Sequence, residues 1–219
     1  MRTLISLFLC ILFVAPFGCS SQRALSIVRR DADRAYATER FEMASADYAE
    51  VVERDPNDWE YREKYADTLM ELGAFSQAEE QYAILHGVRP ANDEIVRKFC
   101  EAMYEADSED RLISFLQLRA DDTQAVGDYL RLGWYAIETG DADLAQRSLL
   151  TAARLDGGQT VEPQIALADF YLAAGDEEKA IRRLRMALGI DAENEIAIEK
   201  LRSLGEIPGP SFALTPEEG

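Results

Sequence analysis

From residue 25 to residue 204, apolar and small side chains return every three or four positions within segments roughly a dozen residues long. That spacing gives an α-helix one buried stripe and one wet face. Gly, Pro or a short acidic run interrupts the segments at regular intervals, and the strict alternation of a half-buried strand is not what organises them. The landmarks recur after about 34 residues, the period of a helix-turn-helix unit that buries its apolar face against its neighbours. The clearest copy is 59–92, marked by Ala66, Leu69, Gly73, Ala78, Tyr82 and Pro90. Ala66 and Ala78 let two helix backbones cross closely. Gly73 ends the first helix in a left-handed turn at little steric cost, and Pro90 stops the second because it lacks the N–H that a continuing helix needs.

The other copies fall in order around it. In 25–58, Ala32 and Ala35 supply the small first-helix contacts, and Ala44, Tyr48, Val51 and Pro56 take the second-helix landmarks. The unit 93–125 keeps its length but has Asp107 where Gly73 stood and Leu112 where Ala78 stood. Its second helix is expected over 108–119, with Leu112, Ile113, Leu116 and Leu118 buried; the lost landmarks mark a bend, a partner-specific surface, or drift under relaxed packing. The pattern returns in 126–160 with Leu132, Gly133, Ala136, Gly140, Ala145, Leu149 and Ala152, and Gly157 closes the unit in place of proline. In 161–194 it is carried by Leu167, Ala168, Gly175, Ala180, Leu184 and Ala187. Asp141 and Asp176, each following a helix-ending glycine, suit the start of the next helix. The stretch 195–204 reads as a capping helix with Ile196, Ile198 and Leu201 as apolar contacts, because a stack of helix pairs leaves its last face bare. The Pro- and Gly-rich remainder, 206–219, is expected to be disordered, and Phe212 and Leu214 within it suggest either a docking peptide or an idle tail.

These small, aromatic, glycine and proline landmarks resemble those of the tetratricopeptide repeat over nearly the whole of 25–205. The resemblance implies an all-α, right-handed α-solenoid of about five helix-turn-helix repeats plus a capping helix. It also implies that the first helices of successive repeats line a concave groove that binds a protein or peptide. Carried over position by position, the groove residues are Arg29, Asp33 and Tyr36, then Glu60, Glu63, Asp67 and Met70, then Glu94, Arg97, Glu101 and Tyr104, then Leu130, Trp134 and Ile137, and finally Ile165, Asp169 and Leu172. Glu63 and Asp67 stand where repeats that grip a terminal carboxylate carry Lys and Asn, so such a clamp is not expected. Trp134 between Leu130 and Ile137 has the character of an aromatic anchor, and the competing reading is that it packs against the adjacent repeat. The candidate partner-binding set is Arg97, Glu101, Tyr104, Leu130, Trp134, Ile137 and Asp169.

The amino terminus has a different character. MRTLISLFLCILFVAPFGCSS opens on Arg2, runs apolar from Leu4 to Ala15 and closes in small polar residues, the layout of a secretory signal rather than a membrane span. Cys19, between Gly18 and Ser20, resembles the acylated cysteine of a bacterial lipoprotein, with 1–18 removed and 19–24 as anchor and linker. Pro16 and Phe17 depart from the aliphatic and small residues usual before that cysteine, which leaves ordinary cleavage near Gly18 or Ser21, or an uncleaved anchor, as alternatives. Ser20 leans the resemblance towards the outer membrane or periplasmic side. With acylation, membrane attachment runs through the lipidated terminus, at about 0.8 kcal/mol per buried CH₂.

Composition then excludes whole classes. A net charge of −18 lacks the basic footprint of a nucleic-acid binder or of a polybasic lipid contact. Cys100 is the one cysteine after Cys19, at a small-residue packing position, and reads as a structural thiol. His86, the sole histidine, has no histidine partner for a metal site or triad. Phosphate loops, dinucleotide fingerprints and paired-cysteine motifs do not occur, and the acids at 31–33 and 141–143 lack the glycine of a calcium loop. No enzyme, metal or cofactor is expected. The function read from the sequence is a lipid-anchored envelope scaffold binding a protein or peptide, in envelope assembly, secretion or pilus biogenesis. The alternative is a structural module that associates with itself.

Overall fold

The computed structural model describes residues 22–209 and 212–216. Cys19 and the whole amino-terminal signal pattern lie outside the described residues. Among the described residues there are eleven helices and no strand. They run α1 Leu25–Ala37, α2 Phe41–Arg54, α3 Trp59–Glu71, α4 Phe75–Val88, α5 Asp93–Glu105, α6 Glu109–Thr123, α7 Val126–Glu138, α8 Ala142–Asp156, α9 Glu162–Ala173, α10 Glu177–Ile190 and α11 Glu195–Ser203. Five pairs and a closing helix are what the periodicity requires. The chain divides into two compact units between Ala74 and Phe75, within the clearest copy of the repeat.

The first unit contains α1 to α3. Ala32, Ala35, Ala44 and Tyr48 form one core cluster in it, with Tyr36, Tyr61 and Tyr65 packed around them. The alanines bring α1 and α2 close, and the aromatic rings fill the space that remains. Between α1 and α2 the chain turns at Glu39, whose φ of 56° is left-handed. Glu39 N–H bonds to Tyr36 O at 2.9 Å and Arg40 N–H to Ala35 O at 2.9 Å, which satisfies carbonyls that the helix end leaves open. After α3, Gly73 repeats the turn with φ 67°.

The second unit contains α4 to α11. The same turn closes α5 at Asp107, α7 at Gly140, α9 at Gly175 and α11 at Gly205, all with positive φ. Asp107 has φ 55° and therefore does what glycine does elsewhere, so the altered landmark in 93–125 leaves the turn intact. Asp141 and Asp176 cap α8 and α10 by accepting hydrogen bonds from Leu144 N–H at 2.9 Å and Lys179 N–H at 3.1 Å. Gly133 allows a close approach of α7 and α8. A β-carbon there would stand 2.5 Å from Leu149 Cδ2, so α7 and α8 pack over a position with no side chain.

Three expectations need correction. Helix α6 runs on to Thr123 and ends at Gln124, in left-handed conformation, instead of stopping at Arg119. It buries Leu112, Leu116 and Ala120, four residues apart, and Leu118 lies off that stripe, 64% exposed. In α11, Ala197 and Leu201 face the core while Ile196 is 54% exposed, because the helix approaches through its small residue. The carboxy-terminal tail also has structure: residues 212–216 lie against α10, where Leu214 N–H bonds to Arg185 O at 2.9 Å.

A buried ionic knot ties α6 to α7. Asp128, 4% exposed, accepts from Arg119 Nε at 2.8 Å, Arg131 at 2.9 Å and Thr123 Oγ1 at 2.7 Å. The longer α6 is what brings Thr123 to this carboxylate. Asp128→Asn is expected to destabilise the second unit by about 3 kcal/mol, since it leaves two guanidinium groups without their shared anion; urea denaturation measures it. Gly133→Val is expected to cost about 1–3 kcal/mol by overpacking. Adding Leu149→Ala recovers part of that loss if the clash with Leu149 is its cause.

Candidate partner-binding face

In the second unit α5, α7 and α9, the first helices of their pairs, and the closing helix α11 lie side by side. Tyr104 of α5 meets α7 at Trp134, ring centroids 6.4 Å apart, and at Tyr135, 5.6 Å apart. Arg131 of α7 reaches back to Asp93 at 2.7 Å, and Lys200 of α11 reaches Asp169 of α9 at 2.5 Å. The candidate residues Arg97, Glu101, Tyr104, Leu130, Trp134, Ile137 and Asp169 all sit on these helices.

Trp134 is half exposed while its neighbour Tyr135 is buried. The two rings meet edge-on at 4.5 Å, so Tyr135 fixes the plane of the indole and leaves one side of it open. Leu130 and Ile137, one turn to either side, are partly buried. Trp134 thus leans on Tyr104 and Tyr135 and keeps half of its surface open. On α5, Arg97 is held between Glu94 at 2.7 Å and Glu101 at 3.0 Å, a ladder along one exposed face. The bond to Arg97 holds the Glu94 carboxyl below the usual carboxylate range. This face therefore combines an aromatic patch with an acid-rich ladder, which suits an apolar side chain flanked by basic ones.

The corresponding residues of the first unit are engaged internally. Asp33 accepts hydrogen bonds from Tyr48 OH at 2.9 Å, Tyr61 OH at 3.1 Å and Lys64 Nζ at 3.2 Å. Burial first, and the bond to Asp33 second, push the Tyr48 hydroxyl up from its ordinary range. Arg29 bridges Asp55 at 2.8 Å and Asp58 at 2.5 Å. Periodicity could place these side chains on a face, but carried no sign that they would neutralise one another.

His86 packs against Phe99 and Phe115 at 5.9 and 5.1 Å, and burial, then the Arg119 charge, lower its pKa. Burial pushes the Cys100 thiol up to about 12, far from a reactive thiolate. No group of three or more His, Cys, Asp or Glu residues suited to a metal ion occurs among the described residues. A cleft of about 550 Å³ beside His86, lined by Phe115, Leu118, Arg119 and Asp128, was missed by sequence reasoning. Its one signal was a leucine off the buried stripe of α6.

No family model matches the chain, and no curated protein matches it. Solved structures do. The crystal structure of MamA protein aligns with a TM-score of 0.56 at 20% identity, covering 85% of this chain and 98% of that one. TTC0263, a thermophilic TPR protein of Thermus thermophilus, gives 0.53 at 22% identity over 82% of this chain and 98% of its own. YrrB, described as a TPR protein with an unusual peptide-binding site, gives 0.51 at 15% identity over 78% and 88%. At these identities the likeness concerns the fold, and the fold is that of tetratricopeptide-repeat proteins.

The roles of the tyrosine and the tryptophan separate by truncation. Trp134→Ala is expected to cost about 1 kcal/mol or less, and Tyr135→Ala about 3–5 kcal/mol, since only the second empties a buried site. Thermal and urea melts of the two variants, compared with the unaltered chain, provide the check.

Proposed function

We propose that this chain is a lipid-anchored scaffold of the bacterial cell envelope that binds a protein or peptide partner on the face formed by α5, α7, α9 and α11. The observation that carries the binding role is the Tyr104, Trp134 and Tyr135 cluster, which sets a half-exposed indole on a rigid base. Rigid aromatic anchors of this kind dominate binding energy because little side-chain freedom remains to be lost. A partner segment with an apolar residue for Trp134 and basic residues for Glu94 and Glu101 fits the chemistry of the face. The net charge of −18 favours such a partner at long range, an attraction that weakens with salt.

The peptide-binding site attributed to YrrB lends the fold precedent for this role. The anchor rests on the amino-terminal pattern: an apolar run, then Gly18, Cys19 and Ser20. Acylation at Cys19 holds the first unit close to the bilayer, because α1 begins only a few residues later. Ser20 supports outer-membrane placement facing the periplasm, and the services such a scaffold gives are envelope assembly, secretion or pilus biogenesis.

A photo-crosslinker placed at position 134 in the living host tests the binding face. A discrete adduct with another protein is expected, absent from a probe at position 147 and reduced when Tyr104 is replaced by Ala. An adduct of twice the chain's mass would assign the face to self-association, and no adduct at 134 would remove the proposed face. Fatty-acid labelling is expected to mark the unaltered chain and to vanish in Cys19→Ala; labelling that persists contradicts the anchor.

A further inference from the structure

Outside that face, the second unit already holds an extended peptide. Residues 212–216, Phe-Ala-Leu-Thr-Pro, lie along α10 with Phe212, Ala213, Leu214 and Pro216 partly buried. Hydrogen bonds to their main chain fix them on both sides of Ala213. Leu214 N–H donates to Arg185 O at 2.9 Å, and Arg185 Nε donates to Phe212 O at 2.8 Å. The same guanidinium stands 4.7 Å from the centre of the Phe212 ring, a cation–π contact.

Two glycines make room for this. Gly189 lies within α10, where glycine is unfavourable relative to alanine. A β-carbon there would stand 1.9 Å from Leu214 O, so only glycine admits the peptide backbone. Its place four residues after Arg185 also uncovers the Arg185 carbonyl, which in a helix is shielded by the side chains of the following turn. Gly158, in the turn after α8, would meet Pro216 at 3.1 Å if it carried a β-carbon. Gly87 of α4 supplies the contrast: it lies three residues before its helix-stopping proline, has Ala83 four residues earlier, and a β-carbon there would meet nothing within 4 Å. A bare glycine is thus not enough, and the pairing with Arg185 distinguishes α10.

We infer that this face of α10 is a peptide-docking site for extended segments with an aromatic residue, a leucine two positions on and a proline two positions further, and that residues 212–216 are its tethered occupant. Arg185 reads the backbone and the aromatic ring, Gly189 demands an extended main chain, and Gly158 receives the proline. An incoming segment of the same pattern competes with the chain's own tail. Tethering sets the tail's local concentration near the millimolar range, so a free peptide binds the intact chain weakly.

The test uses the full chain and a fluorescent synthetic peptide of residues 208–219. In Phe212→Ala/Leu214→Asp the site is vacated, and the peptide is expected to bind at least about 10-fold more tightly than to the unaltered chain, measured by polarisation. Adding Gly189→Ala to the vacated chain is expected to abolish that binding while circular dichroism and the urea midpoint hold, since alanine favours the helix. Equal peptide binding by the vacated and unaltered chains, or binding that survives Gly189→Ala, overturns the proposal. So does a vacated, folded chain that does not bind the peptide.

Discussion

Each helix pair is joined by so few residues that the first helix must finish on a residue with positive φ. The backbone then doubles back through one bond from the following N–H to a carbonyl five residues earlier, as Ala74 does to Leu69 and Asp176 to Tyr171. This turn fixes how the second helix leaves, and therefore which residues of the two helices can meet. Glycine fits it without strain at Gly73, Gly140, Gly175 and Gly205, and Glu39 and Asp107 adopt the same left-handed conformation. Where the turn is fixed, small residues at the crossing become necessary. Ala32 and Ala44 in the first unit and Ala136 and Ala145 in the second are wholly buried.

In the second helices a buried stripe does the packing while Met43, Ile84, Val88, Leu118 and Leu155 stay exposed, and the face proposed for recognition is that of α5, α7, α9 and α11. The proposed anchor rests on one residue pair: buried Tyr135 supports exposed Trp134. Charge is divided in the same way. In the first unit Asp33 and Arg29 are spent on internal partners, whereas Glu94, Arg97 and Glu101 form an exposed ladder in the second.

The fold was legible because its determinants are local. Small residues, turn residues and capping acids such as Asp141 act within a few positions of themselves, and their period survives in the sequence. Legibility failed where a contact is long in sequence or where helical phase is ambiguous. Leu118 and Ile196 belong to apolar-looking stretches, but the neighbours that define the buried stripe are Leu116 and Leu201. The docking of 212–216 was hidden because Pro- and Gly-rich composition describes only the local chain, whereas Gly189 and Arg185 are what hold it. Of the candidate face, the positions of Trp134, Tyr104 and Asp169 could be read from the repeat. The pairing of Asp169 with Lys200 could not, since it joins two repeats. The split between Ala74 and Phe75 was likewise unreadable: repeats share their cores with neighbours, so a period in the sequence need not be a boundary in space.

We assign recognition to the exposed face of α5, α7, α9 and α11 in the second unit. Hydrogen–deuterium exchange of the full chain, alone and with its crosslinked partner, tests it most directly. Added protection is expected in 94–104 and 130–137, with α4, α6 and α8 unchanged. Protection confined to those second helices, with 94–104 and 130–137 exchanging as before, would contradict it.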